Sequence, residues 1–342
     1  MKNKLIILFL IILSATIVFN RCERKLTGLG DDAEIRVLAD SSLWLETEPL
    51  LRDIFEVTII TPQNETIFSI LKGDLENFKR FKNLILIATL DSDGIVSNVV
   101  KSNLSVAALE KVKEGNYVFI KKEQWATNQL IMFLVSTSLD SLKNKLEKNK
   151  DYLFSIYDDY WNDVQEKQMY SFDQQKDVEK HLLKEYGWKI NVQYDYEIYI
   201  EKPEQNFIML RRMLPERWLF VNWIDTDDPS VINEEWVINK RDELGEKFYE
   251  GDMVETKFVE PEFEDVDFNN RLALKTTGIW RNDEKQSGGP FISYTFYNSK
   301  QGRIFMVDYA IFSPRLKRMK RTFLRQADIM LNTFKTVNEV KE

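Results

Sequence analysis

The chain has one cysteine, one histidine, 12 glycines and 8 prolines among its 342 residues. A single cysteine cannot form a disulfide within the chain, so the fold depends on its hydrophobic core alone. A single histidine excludes zinc sites that are built from several His and Cys ligands. The small number of glycines and prolines, together with 13% aromatic residues, indicates packed globular domains rather than long disordered segments.

The chain also lacks an excess of basic residues. Its formal net charge is −8, with 47 Lys and Arg residues against 55 Asp and Glu residues. Proteins that bind nucleic acids neutralise phosphates with basic patches, and they are usually basic overall. The charge balance therefore argues against nucleic acid as a main partner.

One long apolar run is present, at the N-terminus. Lys2 and Lys4 precede the uncharged, mainly apolar segment Leu5–Phe19, and Cys22, the single cysteine, follows it. A helix of this length covers about 22 Å, which is shorter than the ~30 Å hydrocarbon core of a bilayer. The pattern is typical of an export signal, so residues 1–22 are predicted to be a signal peptide or membrane anchor.

Three fates of this segment remain open. Cleavage before Cys22 with lipid attachment to its sulfur would give a lipoprotein, and an uncleaved segment would give an anchored protein. Simple secretion is the third possibility. Phe19, Asn20 and Arg21 differ from the Leu-like and small residues that lipoprotein processing prefers. All three fates place the remainder of the chain outside the cytoplasm, facing the periplasm or the cell exterior.

The remainder of the chain predicts an α+β fold with two tandem modules, residues 31–170 and 174–337. Each module is expected to contain a mainly antiparallel sheet backed by helices. In the first module, Leu84–Ile87 is an apolar run typical of a strand covered on both faces, and Ser138 begins a charged helix that continues towards Tyr170. In the second, Gly187 ends a helix that begins near Gln174.

Further elements of the second module follow from its composition. Asp228-Pro229-Ser230 predicts a helix start, and the acidic run Glu260–Asp267 predicts a loop between strands. The strands Phe291–Phe296 and Ile304–Phe312 are expected to form a hairpin across the loop Asn298–Gly302. A weak similarity between Leu75–Asp91 and Gln205–Asp225 is compatible with an internal repeat or with coincidence.

Four stretches carry a resemblance to a known family. The first three are Ile35–Phe55 with Trp44, Pro62-Gln63 with Glu65 and Phe68, and Trp125–Leu130. The fourth comprises Gly278–Trp280, Gly288-Gly289-Pro290-Phe291 and Tyr309–Phe334. Together they resemble the domain-of-unknown-function 4837 family. The resemblance implies an envelope lipoprotein of Bacteroidetes-type bacteria, and it implies no activity. The order of strands and helix at the C-terminus is also similar to the end of PsbP/Mog1-type α/β sandwiches.

Few residues are candidates for a catalytic, metal-binding or phosphate-binding role. His181 lies on a predicted helix and is expected to be a surface or boundary histidine. Asp158, Asp159 and Asp163 lie on a predicted helix, where positions i and i+4 share a face. These acids and the run Glu260–Asp267 are expected to be solvated. Gly288-Gly289-Pro290 precedes a strand, so it predicts a turn or bulge rather than a phosphate loop. No catalytic, metal-binding or cofactor-binding residue is predicted.

A cluster of cations begins the last helix. Positive charges at a helix N-terminus oppose the macrodipole, which suggests that an anionic group offsets them. Lipid headgroups, an acidic partner or the protein's own acids are the alternatives. The residues of this predicted anionic-partner patch are Arg315, Lys317, Arg318, Lys320, Arg321 and Arg325.

These observations favour a non-enzymatic envelope protein with a binding or scaffolding role. Its expected partners are the membrane, through the N-terminal segment or a lipid on Cys22, and an envelope protein. The alternative is a hydrolase that acts on an envelope polymer or lipid through carboxylates.

Overall fold

Two strands that are buried along their whole length, Asn83–Thr89 and Leu130–Ser136, lie next to each other in a five-stranded sheet. They belong to a computed structural model of the chain, which describes residues 25–63, 65–314 and 320–340. The predicted signal or anchor segment, including Cys22, lies outside the described residues. Within them, no helix combines the length and hydropathy that a membrane crossing requires.

The described residues contain the following strands: β1 Glu34–Leu38, β2 Thr58–Ile59, β3 Glu65–Thr66, β4 Ser69–Lys72, β5 Asn83–Thr89, β6 Val118–Lys122, β7 Leu130–Ser136, β8 Trp188–Lys189, β9 Glu197–Lys202, β10 Phe207–Arg212, β11 Glu216–Asp225, β12 Met253–Val254, β13 Glu262–Asp267, β14 Leu272–Asn282, β15 Ser287–Asn298, β16 Arg303–Phe312 and β17 Lys335–Thr336. The helices are α1 Ser41–Phe55, α2 Ile95–Ser102, α3 Val106–Lys113, α4 Leu139–Lys148, α5 Lys150–Tyr170, α6 Lys176–Tyr186, α7 Glu234–Phe248, α8 Lys320–Leu331 and α9 Val337–Val340. The predicted α+β class is confirmed.

Backbone contacts divide the chain into two compact units. Among the described residues, unit 1 comprises 25–48 and 70–147, and unit 2 comprises 49–69 and 148–340. Residues 49–69 belong to unit 2, so the two units are not consecutive segments of the chain. The predicted module limits of 31–170 and 174–337 therefore stay a prediction.

The sheet of unit 1 has the order β4-β1-β5-β7-β6. β5 pairs in parallel with β1 and with β7, and β6 pairs antiparallel with β7. The mixed pairing corrects the expectation of a mainly antiparallel sheet in this part of the chain. Parallel neighbours need a long crossover connection. Helices α2 and α3, which were not predicted, provide it between β5 and β7. The prediction that β5 is covered on both faces is confirmed.

The sheet of unit 2 is antiparallel, with the order β12-β14-β15-β16-β11-β10-β9, and β13 also pairs with β14. Side chains alternate between its two faces. Val307 and Tyr309 pack in one cluster with residues of α8, whereas Met306 packs in another cluster with residues of α7. Helices α7 and α8 therefore cover opposite faces of this sheet.

Several predicted elements of unit 2 are confirmed. Gly187 follows α6 with a φ of 75°, the left-handed conformation that ends a helix. β15 and β16 form the predicted hairpin. The sheets of units 1 and 2 have different topologies, which favours coincidence over an internal repeat.

Other predicted elements differ. The helix expected from Ser138 to Tyr170 is interrupted at Asn149, which separates α4 from α5. Gly288 and Gly289 lie inside β15 rather than in a turn or bulge. A Cβ on Gly289 would lie 1.9 Å from the Ile311 carbonyl oxygen, so the close approach of two strands requires glycine there.

The acidic run Glu260–Asp267 contains a strand, not the predicted loop. β13 pairs with β14 from Glu262↔Thr277 to Asp267↔Leu272. Its acids alternate between the two faces, while Phe263 and Val266 pack against the hydrophobic clusters. β14 follows β13 directly, so the two strands form a hairpin across residues 268–271. A loop was predicted because Asp and Glu are depleted in strands.

Candidate functional site

Half of the predicted anionic-partner patch can be located. Arg315, Lys317 and Arg318 lie outside the described residues. Lys320 is only 6% exposed. The Arg321 backbone N–H donates to Glu65 Oε2 at 3.0 Å, and its guanidinium donates to the Thr66 carbonyl at 3.3 Å. Lys320 is therefore buried, and Arg321 interacts with the protein's own groups.

Arg325 connects α8 to α5 in unit 2. Its Nη1 lies 2.7 Å from Asp158 Oδ1 and also donates to Asn162, and its guanidinium lies 5.6 Å from the centroid of the Phe68 ring. Internal pairing therefore accounts for this cation. Any contribution of residues 315–319 to an anionic-partner surface stays a prediction.

The helical acids considered for catalysis do not converge. Asp158 is paired with Arg325, whereas Asp159 and Asp163 are exposed. His181 Nε2 lies 2.6 Å from Glu201 Oε1, and the Tyr186 hydroxyl donates to the same oxygen. These two hydrogen bonds lower the pKa of Glu201. The His181 side chain is 42% exposed, as expected for a surface or boundary histidine. Among the described residues, no group of three or more His, Cys, Asp and Glu side chains is placed to hold a metal ion.

A cleft of about 790 Å³ lies in unit 2, beside the N-terminus of α7. We call it the α7 cleft. Its acidic lining residues are Glu234, Glu235 and Asp265, and its apolar ones are Pro229, Ile232, Leu272 and Leu274. Asn233, Arg271, Thr295 and Tyr297 complete the lining. The volume is within the range of known small-molecule sites, about 300–1,000 Å³.

Local sequence places the two glutamates at this cleft. Asn233 is the N-cap of α7, and its side chain accepts a hydrogen bond from the Trp236 N–H at 2.9 Å. The predicted start at Asp228-Pro229-Ser230 forms a short 3₁₀ turn instead, in which Asp228 accepts from the Ser230 N–H. Glu234 and Glu235 consequently occupy the first turn of α7, where carboxylates offset the positive end of the helix.

Hydroxyl groups line the sheet beneath α7. Thr276, Ser293 and Thr295 are each at most 1% exposed. The hydroxyl oxygens of Thr276 and Thr295 have no hydrogen-bond partner among the described residues, whereas the Ser293 hydroxyl interacts with the Asp308 carboxylate. We call these three residues the hydroxyl row. Thr276 and Ser293 are direct neighbours across β14 and β15, and Thr295 lies two positions further along β15 on the same face. Thr295 also lines the α7 cleft, so the row extends from the cleft into the interior.

The inner end of the hydroxyl row lies next to a buried ion pair. Asp308 is opposite Ser293 in the pairing of β15 with β16. Arg241 of α7 donates from Nε to Asp308 Oδ2 at 3.0 Å, and its guanidinium lies 3.8 Å from the centroid of the Phe291 ring. Burial raises the pKa of Asp308, and the Arg241 guanidinium opposes that rise.

The three cleft carboxylates are not neutralised. Within residues 25–63, 65–314 and 320–340, Glu234, Glu235 and Asp265 make no ion pair. Arg271, the cation in the lining, lies 3.4 Å from Glu339 and contacts the faces of three phenylalanine rings. The cleft therefore has an excess of negative charge.

Sequence reasoning did not find this site. Asp308 is the single charged residue between Ile304 and Phe312, and a lone charge in a buried strand requires a partner. That signal could have indicated a buried ion pair, although not its partner. Asp265 was considered only as part of a solvated acidic run, and Glu234, Glu235 and Thr295 carry no local pattern.

Comparisons with protein-family models identify both parts of the chain. Residues 174–333 match a domain of unknown function, DUF4837. The second half of the chain thus contains a region that matches the DUF4837 family. Residues 28–170 match a different domain of unknown function, DUF8532. The resemblance to the first family was expected along nearly the whole exported part, but its first three stretches lie in the region of the second model.

The α7 cleft, the hydroxyl row and the Arg241–Asp308 pair all lie within the DUF4837 domain. Two solved structures share local similarity with the chain. The Ran-binding protein Mog1p of Saccharomyces cerevisiae aligns with 12% identity and a TM-score of 0.31, over 44% of this chain and 90% of that protein. A mutant of protein Mog1 aligns with 11% identity and a TM-score of 0.30, over 44% and 91%. TM-scores this low do not establish a shared fold or a shared function. No curated protein matches the chain.

Proposed function

We propose that the protein is a binding protein of the cell envelope that is tethered at its N-terminus and holds a ligand in the α7 cleft of its DUF4837 domain. The observation that carries the binding role is the cleft itself. It combines unneutralised carboxylates, an apolar wall and a fully buried threonine whose hydroxyl has no partner in the described chain. Buried polar groups in native proteins are normally hydrogen-bonded, so such a hydroxyl favours a ligand or water at this position.

The N-terminal sequence supports the location. Lys2 and Lys4, the apolar segment Leu5–Phe19 and Cys22 form an export pattern, and the family resemblance supports a lipoprotein. The membrane is then one partner of the protein, through the lipid or the apolar segment, and an envelope protein is a second.

Replacement of Cys22 tests the tether. Full-length protein and a Cys22→Ala variant are expressed in the native host, labelled with a fatty-acid analogue and separated into membrane and soluble fractions. A lipoprotein predicts label that disappears in the variant. An uncleaved anchor predicts no label, unchanged mass and membrane association in both proteins. Recovery of both proteins from the soluble fraction would contradict tethering.

Crosslinking in cells tests the partner. The tagged full-length protein is crosslinked and purified beside the Cys22→Ala variant. An envelope protein recovered with the wild-type anchor and not with the variant supports a tethered interaction protein. Recovery of the same proteins with both would contradict a role for the tether in binding.

A carboxylate-dependent hydrolase is the second candidate. The observation that favours it is that Glu234, Glu235 and Asp265 line a single cleft. Glycosidases use two carboxylates about 5–10 Å apart, one of which acts as a general acid. Purified envelope polymers incubated with the wild-type protein and with a Glu235→Gln, Asp265→Asn variant separate the two functions. Hydrolysis that the variant loses would overturn the non-catalytic role.

A further inference from the structure

We propose that the ligand of the α7 cleft is an organic cation, an ammonium or guanidinium group carried on an apolar stem. This inference rests on the proposed binding function and specifies its ligand. Free amines and the basic side chains of a peptide share this chemistry.

The residues that line the α7 cleft indicate that its ligand is positively charged. Three carboxylates lie in the wall without an ion pair among the described residues, and the one cation there, Arg271, is paired with Glu339. An anion would face uncompensated repulsion from all three acids. The partial positive charge at the N-terminus of α7 does not offset this repulsion, because Glu234 and Glu235 in the first turn already neutralise it.

The apolar residues of the lining favour a ligand with an apolar stem. Leu272 is 75% exposed, which is unusual for a leucine in a paired strand, and Leu274 is half-buried beside it on the same face. Ile232 lies in the same lining. A hydrocarbon stem that covers these side chains would remove apolar surface from water, at a gain proportional to the area buried.

The buried hydroxyl of Thr295 is a second, independent observation that points to a ligand. Thr295 is completely buried, lines the cleft and has no hydrogen-bond partner for Oγ1 in the described chain. A threonine hydroxyl can accept a hydrogen bond, and an ammonium or guanidinium group has several donors and no acceptor. A cationic head therefore matches both the carboxylates and the hydroxyl.

The first experiment compares probes that share one stem. Detergent-solubilised full-length protein is titrated with hexylammonium, 1-hexanol and hexanoate, and binding is measured by calorimetry. We expect hexylammonium to bind at least about tenfold more tightly than the other two. Binding should weaken as salt rises from 50 to 500 mM, because exposed charges are screened. A peptide with one lysine between alanines forms a further arm, and its tighter binding would identify a peptide source.

The second experiment removes the charges. The variant Glu234→Gln, Glu235→Gln, Asp265→Asn should weaken hexylammonium binding more than tenfold, because each exposed carboxylate contributes about two- to fivefold. The control Glu246→Gln, Glu262→Gln, Glu264→Gln changes the net charge equally. Glu246 lies near the other end of α7, and Glu262 and Glu264 face away from the cleft on β13. The control variant should bind as the wild type does.

Thr295→Val removes the buried hydroxyl and keeps the shape of the side chain. We expect weaker hexylammonium binding and no loss of stability, because the substitution removes a buried hydroxyl that has no partner. Equal binding of all three six-carbon probes, or equal weakening in the acidic and control triple variants, would overturn the cationic ligand and leave the cleft as a binding site. Failure of every probe and of the peptide to bind would overturn the cleft itself and with it the proposed binding function.

Discussion

Arg241 and Asp308 form an ion pair between helix α7 and the centre of the unit 2 sheet, with 3.0 Å between Nε and Oδ2 and side-chain exposures of 7% and 0%. The pair fixes α7 to β16. Since the first turn of α7 forms one wall of the α7 cleft, the pair also positions Glu234 and Glu235. A buried contact in the middle of the helix thus helps to position the candidate site at its N-terminus.

Removal of one partner from this pair should strongly destabilise unit 2. Asp308→Ala leaves the Arg241 guanidinium buried without its carboxylate, which typically costs about 3–5 kcal/mol. Arg241→Met with Asp308→Leu replaces both charges by apolar groups and should cost much less. Urea unfolding measures both free energies. A loss below about 1 kcal/mol for Asp308→Ala would contradict the importance of the pair.

Titration of Asp252 should lower the free energy of unfolding as pH rises. Burial raises its pKa above the ordinary 3.8, and Asn282 donates to its Oδ1 at 2.8 Å. The folded state then binds more protons than the unfolded state, so this contribution is present below pH 3.8 and is lost as pH rises through the folded pKa. Asp252→Asn should remove this slope in unfolding free energy between pH 4 and 7. An unchanged slope would show that Asp252 titrates normally.

Asp228 provides a control of opposite sign. Hydrogen bonds from Ser230 lower the pKa of this exposed carboxylate. Its contribution is present above pH 3.8 and is lost as pH falls through the folded pKa. Asp228→Asn should therefore change the pH dependence in the opposite direction to Asp252→Asn.

Asp40 and Gly94 form a coupled contact in unit 1. The Asp40 carboxylate accepts hydrogen bonds from the Val96 and Ser97 N–H groups at 3.0 Å each, at the start of α2. Asp40→Ala should cost about 0.5–2 kcal/mol, the usual value of a helix cap. A Cβ on Gly94 would lie 2.0 Å from Asp40 Oδ2, so Gly94→Ala should cost about 1–3 kcal/mol through overpacking.

The double variant tests whether the two changes act through the same contact. Its loss of unfolding free energy should be smaller than the sum of the single losses, because Ala at position 40 removes the atom that the new methyl group meets. Additive losses would show that Gly94 is required for another reason.

Arg325 should contribute to the free energy of unfolding and not to membrane binding. Arg325→Gln breaks its ion pair with Asp158, and we expect a loss of about 1–2 kcal/mol in urea unfolding. Binding to anionic vesicles should stay unchanged. Lys317→Glu with Arg318→Glu is the companion variant that tests the anionic-partner patch outside the described residues. Weakened vesicle binding in Arg325→Gln alone would contradict its internal role.

Some of the fold could be predicted from local sequence. The apolar run Leu84–Ile87 predicted a strand buried on both faces, and Gly187 predicted the end of α6, because both signals depend on adjacent residues. The parallel neighbours of β5 could not be predicted, since pairing joins strands that are far apart in the chain. β13 was missed for a different reason: its acidic residues have a low strand propensity, and pairing with the adjacent β14 makes the segment extended.

The sequence by itself determined the export pattern at residues 1–22, the α+β class and the lack of a second cysteine for a disulfide within the chain. These follow from composition and short-range order. Only the tertiary structure decided which charges meet. It pairs Arg325 with Asp158 and Arg241 with Asp308, and it leaves Glu234, Glu235 and Asp265 unpaired around one cleft. Whether a charge is neutralised depends on the groups that folding places within a few ångströms of it, and these lie tens to hundreds of residues away in the chain.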